Sequence, residues 1–344
     1  MKKFLNKFVG SRIVKTGVAV FLTSLICQLL HWPAVFAVIT AIVTIEPTVS
    51  DSIKKGIIRL PASAIGSLYA VTFIFFFGNS PITYTGAALF TIITCYKLKL
   101  HDGLLVATLT AVAMIEVIHS NFMISFFIRL GTTSIGLFVS TVVNLLILPP
   151  DYSKTILGNI YGLLRSTGEE LEILAKEMIL NNKKRNNELL IKQSFAQLKK
   201  NLDYTDRLLR FQKEESKYHR FNEEAKQVFE DEKEKVSALR LIYYHIGNLI
   251  NTPVDQVSWD QHECEKLIKT VTTLTDAMKY PDHFNVEKHR LQMKELTEQF
   301  WDSKQRDSTI KNADRVTFFS PEVIILYELL SIYNLVESLL IDLD

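Results

Sequence analysis

"AVITAIVTIEPTVSDSIKKGIIRLPASAIGSLYAV" (residues 37–71) is apolar at both ends and polar in the middle. A glutamate, a proline, three serines and threonines in close order, an aspartate, two lysines and an arginine separate two apolar runs. The stretch is either a loop between two buried elements of a soluble core or a working part of a membrane domain. The sequence on either side decides between them.

Upstream, Thr16 to Ile45 is a 30-residue run without Lys, Arg, Asp or Glu. A membrane helix needs about 20 apolar residues, so the run is too long for one span. His31-Trp32-Pro33 divides it, because proline suits the first position of a new helix and Trp and His suit an interface. The expected helices are 13–30 and 33–47. Downstream, Leu60–Gly78, Ile82–Tyr96, Gly103–Ile118 and Phe122–Leu148 continue the series. The turn chemistry of "GNSP" (78–81) and "HSN" (119–121) separates them. Six helices are expected over residues 1–150.

Several of these runs are short enough for a buried soluble bundle. Charge placement argues against that. Lys2, Lys3, Lys7, Arg12 and Lys15 precede the first helix. Lys54, Lys55 and Arg59 fall between the second and third, and Lys97 and Lys99 between the fourth and fifth. The alternate connections carry no Lys or Arg. That is the positive-inside pattern, and it places the N-terminus and residues 151–344 in the cytoplasm. A cleaved signal peptide ending near "VFA" (35–37) is disfavoured, since the apolar run continues past it.

The net charge of +2 conceals a split. Residues 1–150 hold 11 Lys+Arg and 4 Asp+Glu; residues 151–344 hold 28 and 33. Pro149-Pro150 marks the boundary between a six-helix transmembrane domain (1–150) and a helical domain (151–344) that is expected to be cytoplasmic. The second part has helical apolar periodicity, for example Leu163, Leu164, Leu171, Ile173, Leu174 and Met178. Ser320-Pro321-Glu322 is a good helix start, and 181–187, 251–258 and 304–316 read as polar connections. The fold class is all-α. A net-acidic second domain gives no reason to expect nucleic-acid binding.

The quoted stretch now carries a resemblance. Trp32, Glu46-Pro47-Thr48, Ser52, Lys55, Arg59-Leu60, Ala62-Ser63, Gly66 and Ala70 resemble the signature of the aromatic acid exporter family, within the fusaric-acid-resistance-like superfamily. Pro47-Thr48, Arg59 and Gly66 match. Ala62-Ser63 stand where the family has Gly-Thr, and Pro61 is a further departure. The arrangement of six membrane helices followed by a dedicated C-terminal domain is similar to the Gram-positive branch. The resemblance implies a plasma-membrane exporter of small aromatic or other organic carboxylates, with protons as the candidate coupling ion, working as a homodimer in the bilayer.

Seven residues are candidates for a substrate or proton path: Trp32, Glu46, Thr48, Arg59, Ser63, Glu116 and Arg129. Arg59 is either a two-pronged carboxylate partner or a snorkelling anchor. Arg129 and Glu116 are intramembrane charges, which are functional by default; they form either a structural ion pair or an anion and proton path. Glu46 either carries a proton at low dielectric or pairs with Lys54, Lys55 or Arg59. Trp32 is an interface residue or an aromatic platform. Thr40, Thr44 and Thr48 share one helix face. Cys27 and Cys95 read as small buried hydrophobes. No catalytic constellation is expected, and no metal or cofactor: His262, Cys264, His283 and His289 fit no standard metal spacing. An anion channel, or a membrane-anchored sensor or scaffold acting through the second domain, are the alternatives.

Overall fold

The computed structural model describes residues 11–117, 122–147, 150–180, 188–218, 223–253, 257–309 and 319–341. The N-terminal lysines up to Lys7, the 119–121 turn, Pro149 and the 181–187 connection lie outside them. Two compact units result: Met1–Asp151 with Phe211–Arg220, and Tyr152–Arg210 with Phe221–Asp344.

In the first unit the turn signals set the helix boundaries. α1 (Ser11–Leu29) stops at His31, whose φ is +54°, and Pro33 precedes α2 (Ala34–Thr44). α3 spans Val49–Phe77; Thr48 caps it by accepting the Asp51 N–H at 3.0 Å. Ser80 caps α4 (Pro81–Lys97). α5 (Leu104–Ile115) follows a short 3-10 turn, and α6 spans Phe122–Leu146. The all-α architecture matches the sequence reading, and six helices are described in this unit.

The sequence offers Ser50, Asp51 and Ser52 as caps of a helix that carries Lys54, Lys55 and Arg59. Those three basic residues do lie on α3. Two particulars differ. The cap is Thr48. Pro61 and Gly66, which the sequence reads as interrupting the third helix, do not: α3 runs through both for 29 residues, giving up one backbone donor at Pro61. At ~1.5 Å per residue α3 is about 43 Å long, well beyond a hydrocarbon core of about 30 Å. Its polar first turns therefore need not enter lipid.

Among the described residues, four helices are long and apolar enough to cross a membrane: α1, α3, α6 and, in the second unit, Pro321–Ile341. Ala34–Thr44 and His101–Ile115 are apolar but shorter. The first unit also exposes large apolar side chains, with Phe75, Phe76 and Phe138 67–71% accessible. Small residues stand at its close helix contacts. A Cβ on Gly66 would sit 2.3 Å from the Ala107 carbonyl oxygen of α5, and one on Gly136 2.4 Å from the Ala37 oxygen of α2. Small residues at helix contacts and bulky apolar ones outside are the pattern of helices packed in lipid, the reverse of a soluble bundle. Cys27 and Cys95 are buried, as expected.

The second unit contains α7 (Ser153–Leu180), most of α8 (Glu188–Glu215), α9 (Glu223–Asn251), α10 (Gln261–Lys279), α11 (Val286–Thr309) and α12 (Pro321–Ile341). Here large aliphatic residues fill the interior: Ile156, Ile160, Leu164, Leu171 and Leu174 are at most 1% exposed. α12 begins at Pro321, as read from Ser320-Pro321-Glu322. Half of its most apolar window is buried, and the Tyr333 hydroxyl donates to the Thr270 carbonyl at 2.6 Å. The expected polar connection 304–316 begins later, because α11 continues to Thr309.

Candidate functional site

α3 is the spine of the polar interior of the first unit. Arg59, Ser63 and Ser67 recur every four residues, which places them on one face, and all three are buried.

Arg59 anchors the end nearer Thr48. Its Nη2 donates to Glu46 Oε1 at 2.8 Å, Nη1 to the Val43 carbonyl at 3.1 Å and Nε to the Asp102 carbonyl at 3.3 Å. Every guanidinium nitrogen has an acceptor. Glu46 also accepts from Lys55 Nζ at 3.0 Å. Burial alone would raise the Glu46 carboxyl; the bonds from Arg59 and Lys55 outweigh it and hold the group below the usual carboxylate range. Of the two readings of Glu46, the ion pair is the one present. The connection carrying Glu46 is pinned from α6: Asn144 Nδ2 donates to the Glu46 carbonyl at 3.2 Å, the Thr48 carbonyl at 3.3 Å and Ser52 Oγ at 2.9 Å. Lys15 of α1, itself buried, donates to Asn144 Oδ1 at 2.7 Å. Thr48 is thus a helix cap held in this network.

One turn along α3 the character changes. Ser63 Oγ lies 3.4 Å from Thr110 Oγ1 and 3.2 Å from Thr133 Oγ1. Arg129 Nη2 donates to that same Thr110 hydroxyl. The Arg129 guanidinium carbon sits 4.0 Å from the centroid of the Phe36 ring, a cation–π geometry. Arg129 is 4% exposed, and its Nε and Nη1 have no hydrogen-bond partner among the described residues. Nor does any described carboxylate pair with it. Arg129 is the eighth residue of α6, about 10 Å in from the start of that helix. A buried guanidinium with two unused donors, an aromatic face and three hydroxyls is equipped to take a planar anion.

Of the seven sequence candidates, Ser63 and Arg129 are brought together through Thr110 and Thr133, and Glu46, Thr48 and Arg59 form the second cluster. Glu116 joins neither. It is exposed and accepts from the Tyr84 hydroxyl of α4, so the Glu116–Arg129 pair read from the sequence is not formed. Trp32 is half-buried and lies over Gly131, where a Cβ would come within 2.3 Å of the indole. It is a packing residue whose contact on α6 falls two positions from Arg129.

The family profile described as "Aromatic acid exporter family member 1" matches residues 7–147, the region that holds both clusters. Full-length relatives extend the match. A UPF0421 protein of Oceanobacillus iheyensis is 46% identical over 97% of this chain and 96% of its own length. One of Bacillus cereus is 42% identical over 96% and 92%. One of Staphylococcus haemolyticus is 36% identical over 98% of both. The chain belongs to the family of these UPF0421 proteins, and its residues 7–147 match the aromatic acid exporter family. It is a multi-pass membrane protein of a transporter family, and the relatives carry the second unit as well as the first.

Sequence reasoning missed Lys15, Asn144, Thr110, Thr133 and Phe36. Asn144 had a signal, a lone amide in an apolar helix, and so did Lys15, a charge at the edge of an apolar run. The hydroxyls of Thr110 and Thr133 had none, since threonine is common in membrane helices as a backbone-bonded packing residue.

Proposed function

We propose that this family member exports small organic carboxylates, aromatic ones among them, across the plasma membrane, with Arg129 as the anion-binding group. The observation that carries this reading is the unused donor pair of Arg129 in a deeply buried site. An unpaired buried charge is costly, on the order of several kcal/mol, and a ligand carboxylate would offset that cost through charge-assisted bonds of about 1.5–3 kcal/mol each. Phe36 offers an edge or face to an aromatic ring, and the hydroxyls of Ser63, Thr110 and Thr133 offer donors or acceptors to its substituents.

In this reading both termini and the second unit are cytoplasmic, in keeping with the alternation of basic residues, and the Glu46–Arg59–Lys55 cluster lies at the cytoplasmic end. Glu46 acts there as an ionised latch. Proton coupling, if the transport uses it, falls to another group. One six-helix unit per chain is small for a transporter, so a homodimer is expected; cross-linking in the native membrane tests that.

The reading is tested by uptake of labelled 4-hydroxybenzoate and a panel of acids into inside-out vesicles, with and without a pH gradient. Accumulation by the wild type and its loss in Arg129→Gln are expected. Downhill flux that no gradient can drive to accumulation would mark an anion channel. No flux of any acid by folded, inserted protein would overturn the transport reading and favour a sensor or scaffold.

A further inference from the structure

The N-terminus of α3 already holds a carboxylate, and that carboxylate belongs to the chain itself. Glu215, the last residue of α8, places Oε1 2.6 Å from the backbone N–H of Val49, the first residue of α3. Glu215 is 1% exposed. A carboxylate on an ordinary surface helix would stay in water; this one is withdrawn into the first unit, to which its segment, Phe211–Arg220, belongs. Its neighbour Glu214 pairs with Lys54 of α3 at 3.4 Å. The buried Lys15 ammonium belongs to the same network, donating to Asn144 Oδ1 at 2.7 Å. The seat thus combines a helix N-terminal donor, the positive pole of a long helix dipole, and a buried ammonium. Asn144 braces it, by holding Glu46, Thr48 and Ser52 in place on one side and Lys15 on the other.

A seat that holds the chain's own carboxylate has the chemistry to hold another. It adjoins the Glu46–Arg59 latch, because Glu46 and Val49 flank the same short connection. We propose that the N-terminus of α3, with Val49 N–H and Lys15, is an intake site for the carboxylate of the transported anion. Glu215 is the internal stand-in that keeps the site closed until substrate displaces it. The inference rests on the export reading for the direction of travel, though the competition between two carboxylates does not. The segment 211–218 then acts as a plug. At low cytoplasmic anion the site is self-occupied, and transport begins only when the external carboxylate competes.

Two experiments on the full chain in lipid nanodiscs and vesicles test this. The first needs no variant. Hydrogen–deuterium exchange over 211–218 and at Val49 is followed in the wild type with benzoate and with benzamide, which has the same shape and no charge. Faster exchange over 211–218 with benzoate alone is expected. Unchanged exchange, or equal release by both compounds, would overturn the proposal. The second compares flux of Glu215→Gln with that of Glu223→Gln, an exposed control. Glu215→Gln is expected to raise flux at low substrate several-fold by lowering the apparent KM, with the control unchanged. Flux at or below wild type from inserted Glu215→Gln would overturn it. If the wild type moves no acid, the export reading fails while the exchange experiment still decides the intake site.

Discussion

Two arginines lie in the interior of the same six-helix unit with almost the same burial, Arg59 at 6% and Arg129 at 4% exposure. Their surroundings are opposite. Arg59 has a glutamate and two backbone carbonyls, one acceptor for each nitrogen. Arg129 has one threonine hydroxyl and a phenyl face, and two of its nitrogens have no partner among the described residues. A guanidinium with every nitrogen engaged stabilises the fold and has no free donor for a ligand. An unsaturated one costs stability and retains its binding capacity. The difference separates a structural role from a functional one more clearly than burial or position does, and it is the basis for assigning the latch to Arg59 and the ligand to Arg129.

The largest expected effects fall on this contrast. Arg129→Gln should lower flux by about 100-fold or more, the equivalent of two lost charge-assisted bonds, while leaving thermal stability in detergent unchanged or raised, since an uncompensated charge is removed. Equal loss of flux and stability would break the comparison. Arg59→Gln should do the reverse. It strands Glu46 with Lys55 alone and should cost about 2–3 kcal/mol of stability, read from denaturant unfolding. A double-mutant cycle with Glu46→Gln isolates the pair; coupling near zero would show that Arg59 is held by the two carbonyls and not by Glu46.

Gly66→Ala should cost about 1–3 kcal/mol by overpacking, because the new methyl would meet the Ala107 carbonyl. It should also disturb flux, since Ser63 and Thr110 lie on the helices that would be forced apart. A pH effect of smaller size follows from Glu46, whose carboxyl is held below its ordinary value of 4.5 in the folded state. The unfolded chain then takes up the proton first. The latch contributes fully above about pH 4.5 and is lost as pH falls through the lowered value; Glu46→Gln should flatten that part of the stability profile. The smallest effect is expected for Glu116→Gln, with flux within about two-fold of wild type, because an exposed group bonded to Tyr84 is worth little.

Much of this was legible in the sequence. Six helices, their breaks at His31-Trp32-Pro33 and Ser80-Pro81, the cluster around Glu46 and Arg59, and the singularity of Arg129 all follow from runs, turn residues and charges. The fate of Pro61 did not, because a proline inside a helix is a local penalty that packing of Gly66 and Ala62 against neighbouring elements can offset. The partner of Arg129 did not either. Glu116 and Arg129 are the two charges of adjacent apolar runs, and pairing them is the economical guess from sequence. Helix rotation decides otherwise, and rotation about an axis is set by small-residue contacts such as Gly136 on Ala37, which a hydropathy pattern does not encode. The Glu215 contact spans 166 residues, and nothing in either local sequence announces it.

The most direct test is calorimetric titration of benzoate into the purified protein in lipid nanodiscs, comparing wild type, Arg129→Gln and Arg59→Gln. Saturable binding to wild type and to folded Arg59→Gln, weakened at least about ten-fold in Arg129→Gln, is the expected result and corresponds to about 1.4 kcal/mol or more. Undiminished binding to Arg129→Gln, with loss in Arg59→Gln, would contradict the assignment and move the anion site to the latch.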